Sequence, residues 1–223
     1  YREGEGVPQD YDEAVRLYRK AAVQGNAPAQ CTLGQLYGNG HGVAQDYNES
    51  ALWCRKAADQ GLAIAQFKLG HVYFDGVGVA QDYNEAAQWY GKAAGQGLAD
   101  AQYSLGDRYF HGEGVAQDYN KSLQWYRKAA DQGFANAQLR LGIIYYQGNG
   151  VSQDLKLALF YISAAEAQGA EGVVEFRKQI EADLRRTSSE CLSLDTPSPS
   201  ICACCGLDAN KVVKLKPCPR CKG

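Results

Sequence analysis

A Gly-x-Gly-Val signature stands at residues 4–7, 40–43, 76–79, 112–115 and 148–151, each copy 36 residues after the last. Gln-Asp-Tyr follows it at residues 9–11, 45–47, 81–83 and 117–119, and a fifth copy survives as Gln153-Asp154-Leu155. No other feature constrains the fold as strongly. A fixed period of this length means that one supersecondary unit is copied along the chain, each copy burying its apolar face on the next.

Each unit reads as two helices. In the unit that starts at Ala63, the residues Ala65, Leu69, Val72 and Tyr73 fall at helical spacing and form one apolar stripe. Gly76 is expected to end that helix, because a left-handed C-cap costs glycine little, and Gly78 lets the chain turn again. Asp82 then stands as an N-cap with Glu85 three positions on, the spacing of a capping box. Asp10/Glu13 and Asp46/Glu49 repeat that pair, while Asp118 and Asp154 keep the cap without the Glu. Tyr83, Ala87, Tyr90 and Ala94 make the stripe of the second helix, and Gln96-Gly97 closes the unit. Trp53, Trp89, Trp125 and Tyr161 hold one phase of the repeat, as do Tyr37, Tyr73, Tyr109 and Tyr145. Aromatics fixed in phase point to packing between units rather than to a cofactor box. The expected fold is all-α, a right-handed α-solenoid of 36-residue helix pairs.

Residues 101–133, AQYSLGDRYFHGEGVAQDYNKSLQWYRKAADQG, resemble the Sel-1-like repeat, a relative of the tetratricopeptide repeat. Leu105-Gly106, Tyr109, residues 112–115, Asp118, Trp125-Tyr126 and Ala129-Ala130 match its pattern, and the resemblance covers residues 1–169. Proteins of that family are non-catalytic α-solenoid scaffolds that hold partners together, and the resemblance implies the same role here. No nucleophile, oriented base and pocket emerge together, so no catalytic residue is assigned. His41, His71 and His111 share no repeated partner.

Positions that repeat are structural; positions that vary and stay polar are free to recognise something. On the first helices these are Thr32, Lys68, Ser104 and Arg140, then Gln35, His71 and Asp107 (Ile143 in the fourth unit), then Asn39, Asp75 and His111, with Gln147 last. Offsets of three and seven put all of them on one helix face. Solenoids dock partners on such a face, usually the concave one. Ten residues are therefore assigned to protein binding: Thr32, Gln35, Asn39, Lys68, His71, Asp75, Ser104, Asp107, His111 and Arg140.

Cys31 takes the slot of Phe67, Tyr103 and Leu139, and Cys54 takes the slot of Tyr90, Tyr126 and Ile162. Both slots become small in one unit, so they are expected to touch in every unit. Two buried thiols are the favoured state of the pair, with a bridge as the alternative.

Beyond Gly169 the repeat decays. Residues 170–188 read as a capping helix, with Val173, Phe176, Ile180 and Leu184 on its apolar stripe and charge opposite. Residues 189–200, rich in Ser and Pro, read as a flexible linker. Five of the eight cysteines lie in the last 22 residues. Cys202-x-x-Cys205 and Cys218-x-x-Cys221 have the spacing of zinc knuckles, and clustered pairs favour metal in a reducing compartment over a disulfide framework. The stretch CACCGLDANKVVKLKPCPRCKG resembles the start of a MYND zinc finger through Cys202, Cys205, Gly206, Leu215, Lys216, Cys218, Cys221 and Lys222. That resemblance implies a cross-braced two-zinc module that recruits Pro-containing peptides, of which residues 201–223 supply the first two ligand pairs.

Net charge is −2, divided between +4 in the tail from Ile201 onward and −6 before it. An acidic body does not suit broad nucleic-acid binding. No apolar run approaches the roughly 20 residues of a membrane span. Met is absent and Tyr1 opens in mid-pattern, so the sequence reads as part of a longer chain. The expected protein is a monomeric, cytoplasmic or nuclear adaptor: the solenoid holds one partner and the zinc finger recruits another. The alternatives are the non-catalytic region of a larger enzyme, such as a MYND-containing lysine methyltransferase, and a quality-control or ubiquitin-ligase adaptor subunit.

Overall fold

The computed structural model describes residues 10–170 and 172–192, with side chains to 187. Its described residues form ten α-helices and no strand. The helix α1 (Tyr11–Val23) is followed by four helix pairs: α2 (Ala27–Asn39) with α3 (Tyr47–Asp59), α4 (Ala63–Asp75) with α5 (Tyr83–Gly95), α6 (Ala99–His111) with α7 (Tyr119–Asp131), and α8 (Ala135–Gln147) with α9 (Leu155–Ala167). The predicted 36-residue period holds to the residue. Each second helix packs on the first helix of its own pair and on the first helix of the next. The described residues divide into two compact units, one ending at Ala170 and one beginning at Gly172. In the latter, α10 (Val173–Leu192) carries the predicted stripe, with Val173 and Ile180 buried. Lys178–Glu175 (2.8 Å) and Arg177–Glu181 pair along its surface.

The ends of the helices follow from the repeated residues. Asp46 Oδ1 accepts from the backbone N–H of Asn48 and Glu49, and Asp82 Oδ1 from Asn84 and Glu85, at 2.9–3.1 Å. The capping box closes on one side only. Asp46 and Asp82 donate their own N–H to the carbonyls of Tyr37 and Tyr73, at 3.0 and 2.9 Å, so the glutamate has no donor to reach back for. Glu49 and Glu85 instead accept from the indole N–H of Trp53 and Trp89, at 3.0 and 3.2 Å. The first helices of the four pairs end on left-handed glycines, Gly76 among them with φ +69°.

Two further glycine sets hold the helices at close range. A Cβ at Gly70 would lie 2.6 Å from the Tyr90 ring, and one at Gly106 2.8 Å from Tyr126, so α4 and α6 approach their partners only because these sites are bare. The second glycine of each described Gly-x-Gly-Val abuts the start of an earlier helix. A Cβ at Gly78 would stand 2.1 Å from the carbonyl oxygen of Tyr47, and one at Gly114 1.8 Å from that of Tyr83.

A glutamine ladder runs through the same joints. Gln30, Gln66, Gln102 and Gln138 are buried, each donating to the carbonyl eight residues back (Ala22, Ala58, Ala94 and Ala130) at 3.0–3.3 Å. Gln60, Gln96 and Gln132, at the ends of α3, α5 and α7, donate to the Oε1 of Gln30, Gln66 and Gln102 at 2.7–2.8 Å within one helix pair, and the bonds of Gln66, Gln102 and Gln138 to their alanine carbonyls tie each pair to the one before. Gln138 Oε1 has no such donor.

Candidate partner-binding face

All ten residues assigned to protein binding lie on first helices, in three aligned rows across α2, α4, α6 and α8. Asn39, His71, Asp75 and His111 are exposed; the other six are half-buried. The rows are not uniformly free. Tyr90 Oη and His71 Nδ1 share a hydrogen bond of 3.1 Å, and Tyr126 Oη donates to Asp107 Oδ1 at 2.5 Å. Arg140 Nε lies 3.7 Å from the same Asp107 oxygen, which links α8 to α6. His111 Nδ1 sits 2.9 Å from the Asp107 carbonyl oxygen.

The tyrosines dictate this arrangement. In a helix a long side chain leans toward the N-terminus of its own helix. From α5 and α7, Tyr90 and Tyr126 thus cross their bare glycines and present a hydroxyl to the next residue of α4 and α6, His71 and Asp107. Burial pushes the phenols of Tyr90, Tyr103 and Tyr126 above the ordinary range, so they stay protonated. His71 is held below the usual histidine range, first by desolvation, with Asp75 opposing and Arg108 and Lys68 reinforcing. Its ring packs edge-on against Phe67 at 4.6 Å and Tyr90 at 5.3 Å between centroids.

Thr32, Gln35, Asn39, Lys68, Asp75 and Ser104 make no side-chain hydrogen bond or ion pair among the described residues. Variation at a position was therefore an incomplete sign of freedom, since His71, Asp107 and Arg140 vary and are tied into the fold. The missed signal is pairing between slots. A polar residue at His71 or Asp107 accompanies Tyr90 or Tyr126, whereas Ile143 accompanies Ile162.

The same comparison explains one buried cation. Arg108 fills a slot that is Leu36, Val72 and Ile144 in the other units. Its guanidinium lies 4.0 Å over the Phe74 ring and its Nη1 pairs with Glu113 at 2.8 Å. The slot contact expected around the two cysteines also holds in the second and third units, where Phe67–Tyr90 and Tyr103–Tyr126 centroids stand 5.9 and 5.7 Å apart. Cys31 and Cys54 themselves are free and buried.

No group of three or more His, Cys, Asp or Glu side chains suited to a metal ion occurs among the described residues. The predicted ligands Cys202, Cys205, Cys218 and Cys221 lie outside those residues. Among the described residues no helix is long and apolar enough to cross a membrane. An open groove of about 530 Å³ runs between α1 and α2, lined by Leu17, Tyr18, Asn26, Pro28 and Thr32 among others.

Helix pairs at a fixed period, closed by paired glycines and joined by a buried amide ladder, define an α-solenoid repeat protein. The Sel1 repeat matches residues 1–26, 27–62, 63–98, 99–134 and 135–169, and the chain belongs to the Sel1 repeat family. It is similar to a protective antigen of uropathogenic Escherichia coli strains with an SLR fold: 44% identity, TM-score 0.75, over 78% of this chain and 37% of that one. It is also similar to a Sel1 repeat protein from Oxalobacter formigenes, at 41% identity and TM-score 0.73, over 78% of this chain and 71% of that one. The chain thus spans little more than a third of the first relative's length. None of the curated proteins matches it. Sel1 repeats mediate protein–protein interaction.

Proposed function

We propose that this chain is an adaptor whose solenoid docks a protein partner along the first-helix face, chiefly through Thr32, Gln35, Asn39, Lys68, Asp75 and Ser104. The observation that carries this reading is the contrast within the rows: these six groups are uncommitted, while their neighbours hold the fold. Uncommitted amides, hydroxyls and charges side by side make contacts that cost no native bond. The tail adds a second element. Four thiolates in two Cys-x-x-Cys pairs are a donor set suited to zinc, which Cys202, Cys205, Cys218 and Cys221 would hold, and which would order a module for Pro-containing peptides.

The test is affinity capture with the full chain, with and without a zinc chelator. A Gln35→Ala/Lys68→Ala/Asp75→Ala variant should lose one set of partners and keep its melting temperature, whereas a Gln88→Ala/Gln124→Ala control on the second helices keeps them. Chelator should remove a different set. An unchanged catch from the triple variant would sink the assignment of the face, and an unchanged catch under chelator would sink that of the tail.

A further inference from the structure

Cys31 on α2 and Cys54 on α3 are 5% and 3% exposed, and both are free. They fill the two places at which the second and third units bring aromatic rings into contact. The helices that carry them are also lined with small residues. A Cβ at Gly34, one turn beyond Cys31, would lie 2.9 Å from Cys54 Sγ, and one at Gly38 would lie 3.0 Å from Ser50 Oγ. Gly38 stands where Phe74, Phe110 and Tyr146 stand in the other units, so the first unit has lost three large side chains and gained two buried thiols. Burial raises both thiols, Cys54 to about 12; Cys31 adds to that rise and Lys68 opposes it. Cys54 is thus within reach of the charge on Cys31.

We propose that Cys31 and Cys54 are a redox lock, which a two-electron oxidant of the peroxide class closes into a disulfide stapling α2 to α3. One thiolate attacks hydrogen peroxide, the O–O bond breaks, one water leaves and a sulfenic acid remains. The second sulfur attacks that sulfur, the S–O bond breaks and a second water departs. Two thiols give up two electrons and two protons, and one peroxide becomes two waters. Both thiols are buried and strongly protonated, so the step waits on local opening and answers sustained oxidation. Closure restricts the unfolded chain between the two cysteines and so stabilises the unit. Thr32 and Gln35 flank Cys31 on α2, and the lock fixes them against α3. The proposal stands apart from the adaptor reading, because its readouts involve no partner.

The full chain is treated with hydrogen peroxide, alkylated in denaturant and digested with trypsin. No Lys or Arg stands between residues 21 and 54, so both cysteines leave in one peptide, residues 21–55. The expected result is a peptide lighter by two hydrogens that takes no alkyl group, reverts with dithiothreitol, and accompanies a rise of several degrees in melting temperature. Cys31→Ala, and Cys54→Ser should the first not fold, should show neither change, although the remaining cysteines oxidise equally. A doubly alkylated peptide after oxidation overturns the proposal. So does either cysteine joined to another peptide or carried on to a sulfinic acid, and so does a closed bridge that leaves the melting temperature unchanged.

Discussion

At the scale of single residues, the side chains that fix this fold are polar ones with one geometric task each. Gln102 is the clearest. It donates to Ala94 at 3.3 Å and accepts from Gln132 at 2.8 Å while buried. Gln102→Leu keeps the volume but removes two hydrogen bonds from a buried site, and should cost about 1–3 kcal/mol, read as a lower urea midpoint. His71 gives a pH test. Its folded pKa is depressed, first by desolvation, so the unfolded chain takes up the proton before the folded one does. Stability is therefore full at neutral pH and falls as pH drops below about 6.5 toward the lowered folded value. Urea midpoints at pH 7 and pH 5 should show that fall, and His71→Gln should flatten it. Caps and glycines were legible in the sequence because their chemistry is local. The glutamine ladder was not: a glutamine of fixed phase looks like solvated surface until its partner, 30 residues away, is placed beside it.

At the scale of the element, α5 departs from α1, α3 and α7. Arg19 on α1 donates to Tyr37 Oη at 2.5 Å, and Arg55 on α3 and Arg127 on α7 bond Tyr73 and Tyr145 in the same way. The corresponding residue of α5 is Gly91, and no atom lies within 4 Å of where its Cβ would stand. Tyr109, the partner that rung lacks, has the Lys121 ammonium 5.3 Å from its ring instead. Gly91→Arg fills open space, removes a glycine from a helix interior and supplies the missing rung. Relief of the glycine alone contributes about 0.5–1 kcal/mol. The variant should melt higher than wild type, and Gly91→Ala should recover only the helix-propensity part. If Gly91→Arg and Gly91→Ala melt together, the rung contributes nothing. The element boundaries were readable from sequence, since cap, glycine and period agree. The identity of the free positions was not, because whether a varying residue is committed depends on a tyrosine from the facing helix.

At the scale of the molecule, stability in such an array is a sum of unit terms and nearest-neighbour joints, and folding is cooperative only while the joints are strong. Gly114 sits at one joint. It belongs to the turn between α6 and α7 and touches the carbonyl of Tyr83, the first residue of α5 in the preceding unit. With φ at +73°, alanine there meets both the left-handed backbone penalty, about 1–2 kcal/mol, and a Cβ that would stand 1.8 Å from the Tyr83 oxygen. The loop must move, and the joint between the second and third units opens while each unit keeps its own core. The protein carries its own reporters, since its three tryptophans, Trp53, Trp89 and Trp125, fall on α3, α5 and α7 of successive units. Chains that retain one tryptophan each, with the other two replaced by Tyr as at residue 161, should show coincident urea midpoints when Gly114 is intact. In Gly114→Ala the Trp125 midpoint should separate from those of Trp53 and Trp89, which stay together. Midpoints that fall together by the same amount would mean that this joint does not carry the coupling, and that cooperativity passes instead through the amide bonds of Gln102 to Ala94 and of Gln132 to Gly97.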